Sequence, residues 1–336
     1  MSPIDIRRLL SAALGIAVFC AAVGLAADDL SREGRPEGFP VGGEDRLAIP
    51  TLGGLQFWAD VAFFHQWRIQ RNIVTGHYRL LDEQERRHAW GTRGYCERRL
   101  EAIRRERDLP PMEGKAVVLL HGLTRSRTSM EPLARYLSEE GGYSVFNVGY
   151  PSTRGELADH AATLASVVDS LEGIEEISFV AHSMGNIVVR RFLADHPPDS
   201  RFQRMVMIAP PNQGSVAAAA WADNEFFAAI TGEAGQAMGQ EWDELAATLA
   251  VPAFEFGIIA GGRRDDRGFN PLIDGDDDGT LRVEETCLEG AADLVVFPAL
   301  HSVIMYDEEV WAYTLRFLEE GHFVSAADRR PLPAAD

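Results

Sequence analysis

The sequence is short of positive charge, of cysteine and of repetition. Lysine and arginine together number 32 against 51 acidic residues, a net charge of −19 at pH 7. Nucleic-acid binding draws most of its affinity from clustered cations on the phosphate backbone, so neither DNA nor RNA is expected as a partner. Only three cysteines occur. One of them, Cys20, lies in an N-terminal apolar run, which leaves Cys96 and Cys287 either to form one disulfide or to stay as free thiols. There is no internal repeat, and low complexity is confined to the alanine run at 217–220. What remains is ordinary globular composition, 46% apolar and 25% charged over 336 residues. That is enough chain to bury a full core in one large α/β domain or two small ones.

Arg7 and Arg8 precede an apolar, small-residue run from Leu9 to Ala27. This is the pattern of an export signal over residues 1–27, either cleaved or retained as an anchor, because the run just reaches the lower limit for a membrane span. In both cases the flanking arginines send the rest of the chain out of the cytoplasm, as a periplasmic or secreted protein or one tethered to a membrane through residues 9–27. Phe19 is a poor neighbour for a lipid-modified cysteine. Residues 28–46, rich in glycine, proline and charge, read as a linker. Residues 47–114 read as an N-terminal extension packing on the core. Its aromatic, β-rich stretch up to Asp82 predicts one or two strands, or a short helix and a strand. The arginine-rich run from Arg86 to Arg107 has interleaved glutamates, with Glu101 four residues before Arg105, and predicts a solvated helix.

From Lys115 the pattern becomes regular. Short apolar runs, AVVLL, YSVFNV, ISFVA, RMVMIA, FEFGIIA and DLVVFP, alternate with stretches at helical spacing such as MEPLARYLSEE and ELADHAATLASVVDSLEG. Strands apolar along their whole length, separated by helices, predict an α/β fold: a mostly parallel sheet of about six strands covered by helices on both faces, over residues 115–322. Residues 214–250 break the rhythm with glycines, alanines and aromatics and read as a short helical cap over the cleft. Residues 323–336 form a tail. Ligands in such a fold bind beyond the carboxyl ends of the strands.

The chemistry-bearing residues sit at those ends. In ISFVAHSMGNIVVRRFL, an apolar strand runs into Ala181-His182-Ser183-Met184-Gly185 and then into an amphipathic helix. Small residues on both sides let the chain turn so sharply that Ser183 projects its hydroxyl from the apex, the geometry of a nucleophile elbow. Upstream, His121 and Gly122 end the first regular strand, where the N–H of Leu123 is placed to pair with that of Met184 as an oxyanion hole. His121 itself reads as a structural group orienting that loop. The general base must be an imidazole after a late strand, and His301 in DLVVFPALHSVIM has that setting; His182 adjoins Ser183 but is expected to point away from it.

The acidic stretch DGDDDGTLRVEE, Asp274 to Glu285, has two readings. Position by position it matches a calcium-binding EF-hand loop, with acids at Asp274, Asp276 and Asp278, Gly279 at the turn and Glu285 last. EF-hand loops need a helix on each side, whereas this one follows an expected strand. The other reading makes Asp278, with Asp277 as fallback, the acid that holds His301 in one tautomer.

Taken together, LLHG, AHSMG, PPNQGS and DDGTLRVEET resemble the α/β-hydrolase superfamily, in its bacterial branch of lipases and esterases related to triacylglycerol lipases. The resemblance runs from about Lys115 to Leu318. In that branch the acid stands in an Asp-Gly-x-Val turn, which Asp278-Gly279-Thr280-Leu281 matches with leucine for valine, and Ala181 stands where the family has glycine. The resemblance implies an exported serine hydrolase acting on small-molecule or lipid esters through an acyl-enzyme on Ser183, with His301 and Asp278, and with no cofactor or metal. Two alternatives stay open: an acyltransferase using the same three residues, and a catalytically silent calcium-binding surface protein.

Overall fold

The computed structural model describes residues 54–217 and 242–333. The export signal, the linker and most of the expected cap, 218–241, lie outside the described residues. Among the described residues no helix is long and apolar enough to cross a membrane.

All six apolar runs of the main domain are strands of one parallel sheet. The chain first forms β1 (Trp58–Phe64), β2 (Trp67–Asn72), β3 (Tyr78–Leu81) and β4 (Arg87–Gly91), then α1 (Arg93–Glu106). The parallel strands follow as β5 (Lys115–Leu120), β6 (Ser144–Val148), β7 (Glu176–His182), β8 (Phe202–Ile208), β9 (Glu255–Gly261) and β10 (Asp293–Phe297), in spatial order β10-β9-β8-β7-β5-β6. Between or after them run α2 (Glu131–Glu139), α3 (Leu157–Ser170), α4 (Met184–Asp195), the short α5 (Trp242–Ala246) and α6 (Val283–Thr286), and α7 (Glu308–Glu320).

Alternation along each strand builds two cores. Val117, Leu119, Val180, Val206 and Ile259 face Leu133 and Leu137 of α2 and Val310 and Phe317 of α7. Ala116, Val118, Ile177, Phe179 and Met205 face Leu164 and Val168 of α3 and Ile187 and Val188 of α4. With both faces covered, every inward position must be apolar, which is why these strands read as continuous hydrophobic runs.

The N-terminal extension departs from the expected one or two strands. It is a four-stranded antiparallel sheet in the order β1-β2-β3-β4. The stretch from Arg86 was expected to be helical throughout, but its first residues form β4, and the helix starts only after Gly91, at φ +146, and Thr92, whose hydroxyl caps α1 by accepting from the N–H of Tyr95. Arginine tolerates helix and strand alike, so its density hid this boundary. Nor is α1 wholly solvated: Cys96, Leu100 and Ile103 are buried in the core shared with Val61, Phe63, Ile69 and Leu80 of the small sheet. Cys96 and Cys287 are both free thiols.

Hydrogen bonds orient this small sheet along the large one. At one end of β1, Gln56 bonds to Arg125 and Thr153, and Asp60 accepts from the N–H of Gly149 at 2.6 Å, all just beyond the carboxyl ends of β5 and β6. At the other end, the N–H of Phe63 donates to Ser170 and that of His65 to Met112, near the amino end of β5. The start of β1 therefore shares the functional rim of the parallel sheet.

Gly257 on β9 tests the packing. A methyl group there would lie 2.4 Å from Phe317 and 2.7 Å from Phe323, whose rings stack 4.8 Å apart. Gly257→Ala is expected to destabilise the fold by about 1–3 kcal/mol, read as a lower urea midpoint; an unchanged midpoint would contradict this tight contact.

Candidate active site

Ser183 stands between β7 and α4 with φ +53° and ψ −126°. A non-glycine residue held there stores about 1–3 kcal/mol of strain. The neighbours show why the turn must be so tight. A side chain at Gly185 would come within 2.8 Å of the carbonyl of His121 and 2.9 Å of that of Leu120. One at Gly122 would come within 2.9 Å of the His182 ring and 3.0 Å of Cβ of Ser183. The two backbones thus pass in direct contact, and glycine on each side permits it. The Ser183 N–H donates to the carbonyl of Ile208 at 2.9 Å, and Asn186 donates to the carbonyls of Ser183 and Ile208.

Three distant side chains meet on this rim. The Nε2 of His301 lies 2.9 Å from Oγ of Ser183, and its Nδ1 lies 2.7 Å from Oδ2 of Asp278. Asp278 is 1% exposed, and its other oxygen accepts from the N–H groups of Thr280 and Leu281. The backbone N–H of His301 donates to the carbonyl of Asp278 at 2.8 Å, so the two loops are joined twice. The fallback residue, Asp277, does not reach the imidazole. It is buried and accepts from the N–H groups of Asn270 and Gly279, and burial raises its carboxyl above the usual range despite those donors.

Four acids of the loop, Asp276, Asp277, Asp278 and Glu285, accept from backbone N–H groups, while Asp274 and Glu284 are exposed. Asp276 accepts from the N–H groups of Arg263 and Arg264, and Glu285 from those of Arg282 and Val216. The carboxylates point outward to separate amides rather than inward to a common centre. Among the described residues no three acidic, histidine or cysteine side chains are grouped to hold a metal ion. The loop follows β9, as the strand-first reading expected, and only the one-turn α6 comes after it.

Leu123 follows Gly122, which passes against Ser183, and Met184 follows Ser183 directly. Met184 is the first residue of α4, whose leading amides have no intrahelical partner. Among the described residues no group accepts from the N–H of Leu123 or of Met184. His121 is fully buried behind this loop, stacked on Tyr150 at 4.3 Å with Nδ1 2.9 Å from the carbonyl of Gly122. Tyr150 in turn packs 5.0 Å from His160.

Several supports of the site leave no local mark in the sequence. His182 does not face the serine hydroxyl, but its Nε2 donates to the backbone carbonyl of His301 at 3.0 Å, and burial pushes its pKa well below the ordinary value, leaving it neutral. Arg125 donates to the carbonyl of Ser302 at 2.9 Å, while Gln56 donates to the carbonyl of Arg125 and accepts from Thr153. This strap ties the loop after β5 to the loop carrying His301. No local pattern marks Gln56 or Arg125; each acts through a partner distant in the chain. The two ends of the cap region are also pinned: Trp242 packs on Gly214, and Arg190 holds the carbonyl of Ala250.

The family model for the alpha/beta hydrolase family matches residues 117–333. No curated protein matches. Among solved structures, the propeptide form of the lipase BlEst2 from Bacillus licheniformis is 18% identical, over 67% of this chain and 53% of that one, at a TM-score of 0.51. Its mature form is 19% identical, over 62% of this chain and 94% of that one, at 0.49. A metagenomic carboxyl esterase is 20% identical, over 56% and 65%, at 0.44. At these identities the likeness concerns the fold.

Burial holds the pKa values of His121 and His160 at about 4. An unfolded histidine takes its proton near 6.5, so between about 6.5 and about 4 the unfolded state binds more protons and stability falls as pH falls. His160→Gln is expected to flatten the pH dependence of the unfolding free energy by up to about 1.4 kcal/mol per pH unit in that window. Urea titrations of variant and wild type, in which the opposite contribution of Asp277 cancels, check this; parallel pH curves would refute it.

Proposed function

The chain belongs to the alpha/beta hydrolase family, and from that premise we propose that it cleaves carboxylic esters through an acyl-enzyme on Ser183. The observation that carries the reading is the continuous path from Asp278 through His301 to the hydroxyl of Ser183, at 2.7 and 2.9 Å. His301 Nε2 takes the proton as Oγ of Ser183 attacks the ester carbonyl. Asp278 keeps the proton of His301 on Nδ1 and stabilises the imidazolium that forms. Negative charge gathers on the former carbonyl oxygen, where the N–H groups of Leu123 and Met184 receive it. Collapse of this intermediate expels the alcohol, which leaves with the proton from His301, and the serine carries the acyl group. Water then gives its proton to His301, attacks the acyl carbon and releases the acid, restoring Ser183.

The buried setting of Asp278 supports its role. Two backbone amides and the imidazole satisfy its oxygens in a site closed to solvent. The strap through Gln56 and Arg125 supports the relative placement of the Leu123 loop and His301. The apolar run 9–27 is proposed to take the catalytic domain out of the cytoplasm, as the positive residues before it favour.

A fluorophosphonate probe is expected to label the wild-type protein at Ser183 and not to label Ser183→Ala; absence of label on folded wild type would reject the reading. Asp278→Asn is expected to lower kcat on p-nitrophenyl esters about ten-thousand-fold by favouring the wrong tautomer, whereas Asp277→Asn acts on the unfolding midpoint. Arg125→Met, which cuts the strap, is expected to reduce kcat on the order of 10- to 100-fold with little change in KM.

A further inference from the structure

The antiparallel sheet carries a second surface on the rim where Ser183 opens. Trp58 pairs with Asn72, and Tyr78 with Gly91, so the turn after β2 and the end of β4 lie level with the start of β1. That start is bonded to the loops around Arg125 and Thr153. Val74 in the turn, Trp90 at the end of β4 and Tyr95 in the first turn of α1 are exposed by 69%, 58% and 49%. Each is an apolar or aromatic side chain left in water, and the three lie at one end of the sheet, Tyr95 beside Gly91 at the end of β4. Trp90 continues as a run of edge-to-face contacts, with its ring 4.8 Å from His77 and His77 5.1 Å from Trp58.

Cations surround these rings. Arg79 lies 3.8 Å from the centre of Trp58, and Arg87 lies 5.7 Å from that of Trp90. Arg98 reaches back toward Gly94, and the first turn of α1 contains no acid. Arg71, level with Tyr78, has no ion pair among the described residues. Residues 54–114 hold eleven arginines against nine acids, a balance of +2 in a chain whose total is −19.

We propose that this end of the antiparallel sheet docks on an anionic phospholipid bilayer and brings the Ser183 rim to the ester groups at its surface. Tryptophan and tyrosine settle at the level of the lipid headgroups, with the apolar ring body inward and the polar edge in water. Arginines beside them meet the negative surface potential, which reaches only about 8–10 Å at physiological ionic strength. Charges near the surface therefore govern contact; of the acids close by, Glu97 is paired with Arg93, and Asp60 and Glu85 lie near Arg79, which leaves Arg71 and Arg87 to face the lipid. This inference rests on the ester-cleaving reading for its purpose; the surface is tested apart from catalysis.

Full-length Ser183→Ala protein is mixed with brominated vesicles of phosphatidylcholine, with or without phosphatidylglycerol, and tryptophan emission is followed. Quenching reports this face even if residues 9–27 tether the chain. The expected result is quenching that is stronger with phosphatidylglycerol, weakened by salt, reduced in Trp90→Phe and unchanged in Trp311→Phe. Arg71→Gln should raise the vesicle concentration for half-quenching about five-fold. Trp90 and Arg71 are surface residues, and circular dichroism confirms that the variants fold. Equal quenching by both lipids, no dependence on Trp90, or a vesicle-free dimer abolished by Trp90→Ser would overturn the proposal. Absence of fluorophosphonate labelling in wild type would instead reject the esterase reading and leave the vesicle result to stand.

Discussion

The site depends on two stretches of backbone passing closer than any side chain would allow. Gly122 and Gly185 face each other's neighbours, so the loop after β5 touches the turn after β7. That contact brings Gly122 against Ser183, the residue held at positive φ. A methyl group on either glycine would have to displace backbone or the nucleophile itself, and main-chain atoms of a buried sheet have nowhere to go. The strain is sustained because the surrounding strands over-determine it: β7 is hydrogen-bonded to β5 and β8 on its two sides.

His301 is fixed less by its own loop than by what grips it. Asp278 takes its ring and its backbone N–H, and His182 takes its carbonyl, so the imidazole has little rotational freedom left. Asp278 in turn is held by the loop's own amides, and Asp276, Asp277 and Glu285 accept from other amides. Crowded aspartates repel one another, and the four buried or half-buried acids of this loop each meet N–H donors, which offset that repulsion.

The antiparallel sheet adds what the parallel sheet lacks. Its inner face completes the core over α3, its first residues brace the loop beside the serine through Gln56, and its rim carries exposed aromatics among arginines. One small element thereby contributes buried core, a brace for the loop beside Ser183 and an exposed aromatic rim.

The order of the six parallel-sheet strands along the chain, the helices between them and the turn at Ser183 could be read from the sequence because each is a local property: continuous apolar runs, helical spacing and small residues flanking a serine are visible within a few positions. His301 and Asp278 were legible as candidates for a related reason, since in this fold the useful residues follow the carboxyl ends of strands. The turn that resembles the one in the lipase branch already favours Asp278 over Asp277, and Asp278 is the one that meets the imidazole; the roles of His182, Arg125 and Gln56, and the antiparallel sheet with its rim, were decided only by the tertiary structure. Those features rest on contacts between residues up to 177 positions apart, and in β4 on an arginine-rich segment whose local preference does not separate strand from helix. Local chemistry determined which groups the chain possesses; only packing determined which of them meet.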